Sequence, residues 1–288
     1  MRIGITGSTG FVGKRMLAYD AHRYELIPLT IRDVDIPGIS LAGLDAIVHL
    51  AGKAHQMEPI ADEVYFQVNY ELTRQLAIAA KEQGVPHFIY ISSTKVYGDE
   101  AEQELNEYTA CVPTDPYGKS KRDAELFLLG MQLPAFAVAI LRPPVVYGPE
   151  VKGNIIRLLK LADTAYPLPF GEAGNLRSMV FVDNLVELIN TIIDQKASGI
   201  FLAGDQKPLS TNQLISGMRQ ALGRPNRLVA IPLVFRKMVK KVRPALYARL
   251  FGSFLVNPAD TNQRLKFVPP FTSVEGIGKM VAWYKDLH

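Results

Sequence analysis

The chain has 288 residues, a formal net charge of +4, and 48% apolar against 21% charged residues, the composition of a soluble globular protein with ample material for a core. The mild charge is not gathered into one long run, which argues against a nucleic-acid partner, and no apolar run approaches the roughly 18 residues of an integral membrane segment. The one cysteine, Cys111, excludes an intramolecular disulfide and a cysteine-built zinc site, and His22, His49, His55, His87 and His288 show no metal-ligand spacing, so no metal is expected.

A first strand, Arg2–Thr6, starts at residue 2 with no leader peptide ahead of it, which makes a cytoplasmic location the expectation. A helix over Phe11–Tyr19 and strands over Tyr24–Thr30 and Ala46–Leu50 follow. Val64, Val68, Leu72, Leu76 and Ala79/Ala80 recur at helical spacing, so they predict a long helix, with Gly84 where a C-cap belongs. A strand over His87–Ile91, a helix opening near Tyr117 and a strand over Phe136–Leu141 complete an alternating pattern, which argues for a parallel sheet covered on both faces. Beyond Pro143, prolines and glycines punctuate residues 143–175 and the helical spacing becomes less regular.

Residues 6–13 read T-G-S-T-G-F-V-G, at the junction of the first strand and first helix. Gly7 suits a tight turn, Gly10 the approach of backbone to a pyrophosphate, and Gly13 close packing of helix on sheet. The N–H groups of this loop, including Thr9, Phe11 and Val12, then face the anion at a helix N-terminus. The fold expected is an α/β, Rossmann-like doubly wound parallel sheet. Residues 1–150 would form the dinucleotide-binding domain, and residues 151–288 a smaller substrate-binding part interleaved with it. At the end of the second strand, an acidic residue would bind the adenosine ribose of NAD, whereas small and basic residues accommodate a 2′-phosphate. Thr30 and Arg32 stand there, favouring NADP(H) over NAD(H), with Asp33 or Asp35 as the acidic residue if the register is shifted.

Tyr117 and Lys121, in Y-G-K-S-K, lie four residues apart, so on a helix their Cβ atoms would be about 5–6 Å apart on one face. Alone, the pair reads equally as surface decoration. Together with the glycine loop, S-S-T-K-V-Y-G (92–98) and L-R-P-P-V-V-Y-G-P (141–149), it makes the chain resemble, over essentially its whole length, an extended short-chain dehydrogenase/reductase of the nucleotide-sugar epimerase/dehydratase branch. The resemblance implies Ser93, Tyr117 and Lys121 as the catalytic set. It implies Asn69, Ala51, Gly52, Lys53 and Pro144, with Pro143, as residues along the cofactor. It implies Ser93, Thr94, Asn154, Arg177 and Arg264 as substrate contacts, the arginines towards a diphosphate, with the Y-P-L-P-F-G loop (166–171) towards a uracil. It also implies a homodimer through a four-helix contact.

A tyrosine near pKa 10 holds its proton too tightly to act as a base at neutral pH. A lysine one turn away and an oxidised nicotinamide are expected to lower that value, so that Tyr117 exchanges a proton with a sugar oxygen while Ser93 holds that oxygen. Dehydratases of the branch carry an acidic pair after the serine. Thr94 and Lys95 stand there instead, which argues against a dehydratase. The chain is most similar to reductases that act at C4 of a UDP-4-keto-6-deoxy-hexosamine in polysaccharide biosynthesis, of the UDP-N-acetylquinovosamine type. A UDP-hexose 4-epimerase with tightly bound NAD is the alternative, and a non-catalytic dinucleotide-binding sensor or scaffold a second. The acidic run 99–107 reads as a solvated loop, the basic stretch 235–251 as a charged outer helix interrupted at Pro244, and His49 as a satisfied structural residue.

Overall fold

A computed structural model describes residues 1–31, 36–54, 61–99, 103–171, 174–230, 238, 241–242, 247 and 250–287. Arg32, Asp33, Asp35, His55, His288 and most of the stretch 235–251 lie outside the described residues. The first half of the chain alternates as its sequence predicts, with half of the strand ends moved by one residue. In order come β1 (Arg2–Thr6), α1 (Phe11–Tyr19), β2 (Glu25–Leu29), β3 (Ala46–His49), a long helix, β4 (His87–Ile91), α4 (Pro116–Met131) and β5 (Ala137–Arg142). The long helix has three parts: α2 (Asp62–Phe66), a π turn over Gln67–Glu71, and α3 (Leu72–Glu82). Gly84 follows it in the left-handed region at φ +76°, which favours glycine.

Five of these strands and a later one, β8 (Gly199–Leu202), form a six-stranded sheet in the order β2-β1-β3-β4-β5-β8, every pair parallel. Parallel strands buried on both faces need apolar residues on both, and alternate side chains accordingly enter two cores. Ile3, Ile5, Val48, Ile89 and Leu141 pack on one side with Met16 of α1 and the helix α6 (Val182–Asp194). Ile47, Phe88, Tyr90, Val138 and Ile140 pack on the other with Leu76 of α3 and Leu128 of α4. The strand order reverses at β1, so the crevice beyond the carboxyl ends of β1 and β3 is the switch point where such sheets bind ligands.

The rest of the chain adds β6 (Val145–Tyr147) paired with β7 (Met179–Phe181), α5 (Asn154–Ala162), α7 (Thr211–Leu222), α8 (Ala259–Leu265) and α9 (Ser273–Lys285). The helices α7 and α9 each start on a capping box, Ser210 with Gln213 and Thr272 with Glu275. They share a third core with Tyr147, Leu159, Phe181, Met218 and Met280. Both α6 and β8, although late in the chain, complete the main sheet. No helix among the described residues is long and apolar enough to cross a membrane.

The inward face of the long helix runs through Tyr65, Asn69 and Thr73 before reaching Leu76, Ala77 and Ala80, with Val64, Val68 and Leu72 half-buried beside it. Apolar periodicity misses a face whose polar members are satisfied by hydrogen bonds. One expectation is corrected: the acidic run is not wholly solvated. Leu105 and Glu107 are buried, and Glu107 Oε1 accepts from the Thr261 N–H at 3.1 Å, in the first turn of α8, and from the Thr261 hydroxyl.

Candidate active site

The carboxyl edge of the sheet gathers most of the residues singled out above. Gly7 ends β1 at φ +67°, a conformation only glycine adopts cheaply, and a Cβ there would lie 2.6 Å from the Ala51 nitrogen. The Gly10 N–H closes a tight turn on the Gly7 carbonyl oxygen at 2.9 Å. A Cβ on Gly13 would collide with that same carbonyl and come within 2.8 Å of Ser8 Cα. Gly10 caps α1 with no side-chain hydrogen bond, and no acidic residue lies in its first turn. The helix N-terminus is thereby left open to an anion, with Thr9 exposed and Phe11 and Val12 half-buried behind it. This cradle fits the pyrophosphate of a nicotinamide dinucleotide.

Beyond β3, the loop Ala51, Gly52 and Lys53 is pinned by Asn69. The Lys53 N–H donates to Asn69 Oδ1 at 2.7 Å, and Asn69 Nδ2 donates to the Lys53 carbonyl and to Ser120 Oγ, both at 3.1 Å. Asn69 sits in the π turn, a distortion frequent at functional sites. Thr30 is exposed just past β2.

Past β4, Ser93 caps a short 3-10 turn over Thr94–Tyr97, its Oγ accepting from the Lys95 N–H at 3.2 Å. The Thr94 N–H donates to the carbonyl of Pro143 at 3.0 Å, which places Pro143 and Pro144 alongside. Asp115 and Pro116 start α4: Asp115 Oδ1 accepts the Gly118 N–H at 2.6 Å, and proline occupies the first turn, where no N–H partner is needed. Tyr117 therefore emerges at the helix start, beside Tyr65, with ring centroids 6.2 Å apart. Lys121, one turn on, donates to the Ile91 carbonyl at 2.9 Å and lies 4.6 Å from the centroid of the Tyr90 ring.

Electrostatics correct one expectation. Burial raises the Tyr117 phenol above its ordinary value, and it is a hydrogen bond from Ser93 that pulls it back, while the lysine ammonium is turned towards Ile91. Lys121 itself is lowered from 10.5 to about 8 by burial, with Glu125 opposing. The unfolded chain thus holds this proton more tightly, so Lys121 contributes a stability that rises with pH between about 8 and 10.5. Activity has the opposite sign wherever the cation is needed. We expect kcat/KM to fall as pH rises through about 8, with a limb that Lys121→Met removes. A profile flat well beyond that pH would show that the ammonium is dispensable.

A sequence profile of the NAD dependent epimerase/dehydratase family matches residues 3–204. The chain belongs to that family. A UDP-glucose 4-epimerase of Vibrio cholerae is 32% identical over 94% of this chain and 92% of its own length. An N-acetyl-alpha-D-glucosaminyl-diphospho-ditrans,octacis-undecaprenol 4-epimerase of Escherichia coli O157:H7 is 31% identical over 80% of this chain and 75% of its own length. Among solved structures, RMD from Pseudomonas aeruginosa complexed with NADPH superposes with a TM-score of 0.81 at 21% identity, covering 100% of this chain and 98% of that one. That last likeness shows the Rossmann-like fold alone. Members of the family are NAD(P)-dependent enzymes of the short-chain dehydrogenase/reductase type, and a nicotinamide dinucleotide is the cofactor of this chain.

The residues expected on the substrate side are not all brought together. Asn154 is exposed in the first turn of α5. Arg177 bridges the backbone of Leu209, and its Nη1 donates to the Gly252 carbonyl at 3.3 Å. Arg264 is placed at the opposite edge of the sheet. Its guanidinium donates to the Ser198 and Ile200 carbonyls, both at 3.2 Å, at the amino end of β8, and it pairs with Asp260. That position corrects its assignment to a diphosphate.

Three contributors were missed from sequence. Lys95 pairs with Asp99 and with Asp115 Oδ2, the latter at 2.7 Å, bracing the start of α4. Glu125 and Arg142 form a buried two-pronged ion pair, at 2.9 and 2.6 Å, beneath the same helix. A charged pair inside an apolar strand–helix contact is the signal that could have disclosed the second.

Proposed function

We propose that the chain is an oxidoreductase acting at C4 of a UDP-activated sugar, reducing a UDP-4-keto-6-deoxy-hexosamine with NADPH for polysaccharide biosynthesis. The observation that carries this reading is the Ser93–Tyr117 hydrogen bond at the carboxyl edge, with Lys121 one helical turn behind it. When bound, the nicotinamide supplies the hydride. Tyr117 holds the proton for the sugar oxygen, and burial, by keeping the phenol protonated, suits it to donate. Ser93, hydrogen-bonded with the phenol, is placed to steady developing charge on that oxygen. At the position where a dehydratase would carry a carboxylate pair stand Thr94, buried, and Lys95, occupied by Asp99 and Asp115. Neither can take a carbon-bound proton. Thr30 at the end of β2 favours NADPH over NAD, because it brings no carboxylate against a 2′-phosphate. The Gly7–Gly13 cradle, Ala51–Lys53, Asn69 and Pro144 would line the dinucleotide, with Asn154 and Arg177 towards the sugar diphosphate.

The second reading is a UDP-hexose 4-epimerase holding NAD tightly, favoured by the two relatives above, both named 4-epimerases. One experiment separates them. The purified chain is assayed for bound dinucleotide and then mixed with NADPH and a UDP-4-keto-6-deoxy-N-acetylhexosamine. The expected result is little bound NAD and stoichiometric oxidation of NADPH. Stoichiometric NAD together with interconversion of UDP-hexoses, and no NADPH consumption, would replace the reductase by the epimerase.

A further inference from the structure

His49 ends β3 with both ring nitrogens paired, and one assignment of hydrogens satisfies the whole chain of partners. With the Thr73 hydroxyl donating to the Asn69 carbonyl at 2.8 Å, it offers lone pairs to His49 Nε2, 2.8 Å away, and that nitrogen carries the proton. Nδ1 is then bare and accepts from Thr6 Oγ1 at 2.6 Å, and Thr6 Oγ1 in turn accepts the Ala51 N–H at 3.2 Å. The neutral ring this requires is the one burial enforces: burial, helped by the Lys121 charge, pushes the imidazole down to about 3. From Asn69 the path continues through its side chain to Ser120 Oγ, which donates to the Tyr117 carbonyl at 2.8 Å. Thr6, His49, Asn69, Thr73 and Ser120 are all 0% exposed, so water replaces none of these bonds.

Packing does not require an imidazole here. The ring lies 5.9 Å from Phe88 and 5.7 Å from Tyr90, between aromatic faces that an apolar side chain would fill as well. What only a neutral imidazole supplies is an acceptor towards β1 and a donor towards the long helix.

We propose that His49 is a positioning residue with two separable halves. Through Nδ1 it sets the end of β1 and the Ala51–Lys53 loop, which face the dinucleotide. Through Nε2 it sets the π turn carrying Asn69, and with it the helix start that presents Tyr117. The second half rests on the reading of Ser93, Tyr117 and Lys121 as the proton-transfer group.

The test uses two variants that each keep one half. His49→Asn places an amide oxygen near Nδ1 and loses the donor to Thr73. His49→Gln places an amide N–H near Nε2 and loses the acceptor for Thr6. For His49→Asn, which loosens Asn69 and through it Lys53 as well as the helix start, the Kd values for NAD+ and NADPH are expected to rise by no more than about threefold while kcat falls roughly tenfold or more at unchanged KM, the scale set by sub-ångström misplacement of a reacting group. For His49→Gln, those Kd values are expected to rise roughly tenfold with a smaller loss of kcat. Thr73→Val, nearly isosteric, should reproduce the His49→Asn pattern. The proposal is overturned if the variants lower only the melting temperature, or if both change Kd and kcat in parallel. Were the wild type to bind dinucleotide but turn over no nucleotide sugar, the reading of Tyr117 would fail instead, and the Kd contrast between the variants would still decide the Nδ1 half.

Discussion

Replacing Tyr117 by phenylalanine is expected to lower kcat by about a thousandfold, within the ~10²–10⁴ range that general acid–base groups contribute, while dinucleotide affinity is retained. The phenol is hydrogen-bonded with the Ser93 hydroxyl, and burial keeps it protonated. Phenylalanine preserves the ring contact with Tyr65 and the helix start made by Asp115 and Pro116, so the fold has no reason to move. Steady-state turnover and a fluorescence titration with NADPH measure the two quantities separately. Turnover that survives would remove Tyr117 from the proton-transfer role. Loss of affinity together with turnover would place Tyr117 on the cofactor rather than at the reacting oxygen.

The second large effect lies beneath the site. Arg142 and Glu125 are 1% and 0% exposed, joined by two hydrogen bonds, and Arg142 also donates to the Tyr97 hydroxyl at 2.7 Å. Arg142→Met leaves the Glu125 carboxylate buried with the partly exposed Arg122, at 3.0 Å, as its remaining ion-pair partner among the described residues. Breaking one side of a buried pair costs about 3–5 kcal/mol, which corresponds to a melting temperature lower by roughly 10 °C for a chain of this size. The double variant Glu125→Met with Arg142→Met removes both charges and is expected to recover most of that loss, because apolar replacements of buried pairs are often close to neutral. Thermal unfolding of the two single variants and the double variant gives the coupling directly. A single variant within about 2 °C of wild type would mean that water reaches the carboxylate.

What was legible in the sequence was what backbone geometry dictates. Gly7 and Gly13 are required by a positive φ and by close contacts that no other residue tolerates, with Gly10 tight against the Gly7 carbonyl between them, so the loop declares itself. Tyr117 and Lys121 were placed by helical spacing once a helix was assigned. The inward face of the long helix is less legible, because periodicity counts apolar residues and this face carries Asn69 and Thr73. Arg264 sits in a motif that places it near a diphosphate only by resemblance, and only the fold shows that its carbonyl partners lie at the amino edge of the sheet. Helical spacing credits Lys121 with lowering the tyrosine, but it shows neither the burial that raises the phenol nor the lysine's hydrogen bond to Ile91.

The π turn over Gln67–Glu71 has a consequence for how this site is held. A regular helix rotates about 100° per residue, so Tyr65 and Asn69 on one side and Leu76 and Ala80 on the other would otherwise be locked to a single rotational setting. A turn wound one residue wider shifts that setting, so that Asn69 faces Lys53 and Ser120 while Leu76 and Ala80 keep their places in the core beside β3 and β4. The same inward side of one helix thus serves the site with hydrogen bonds and the sheet with packing.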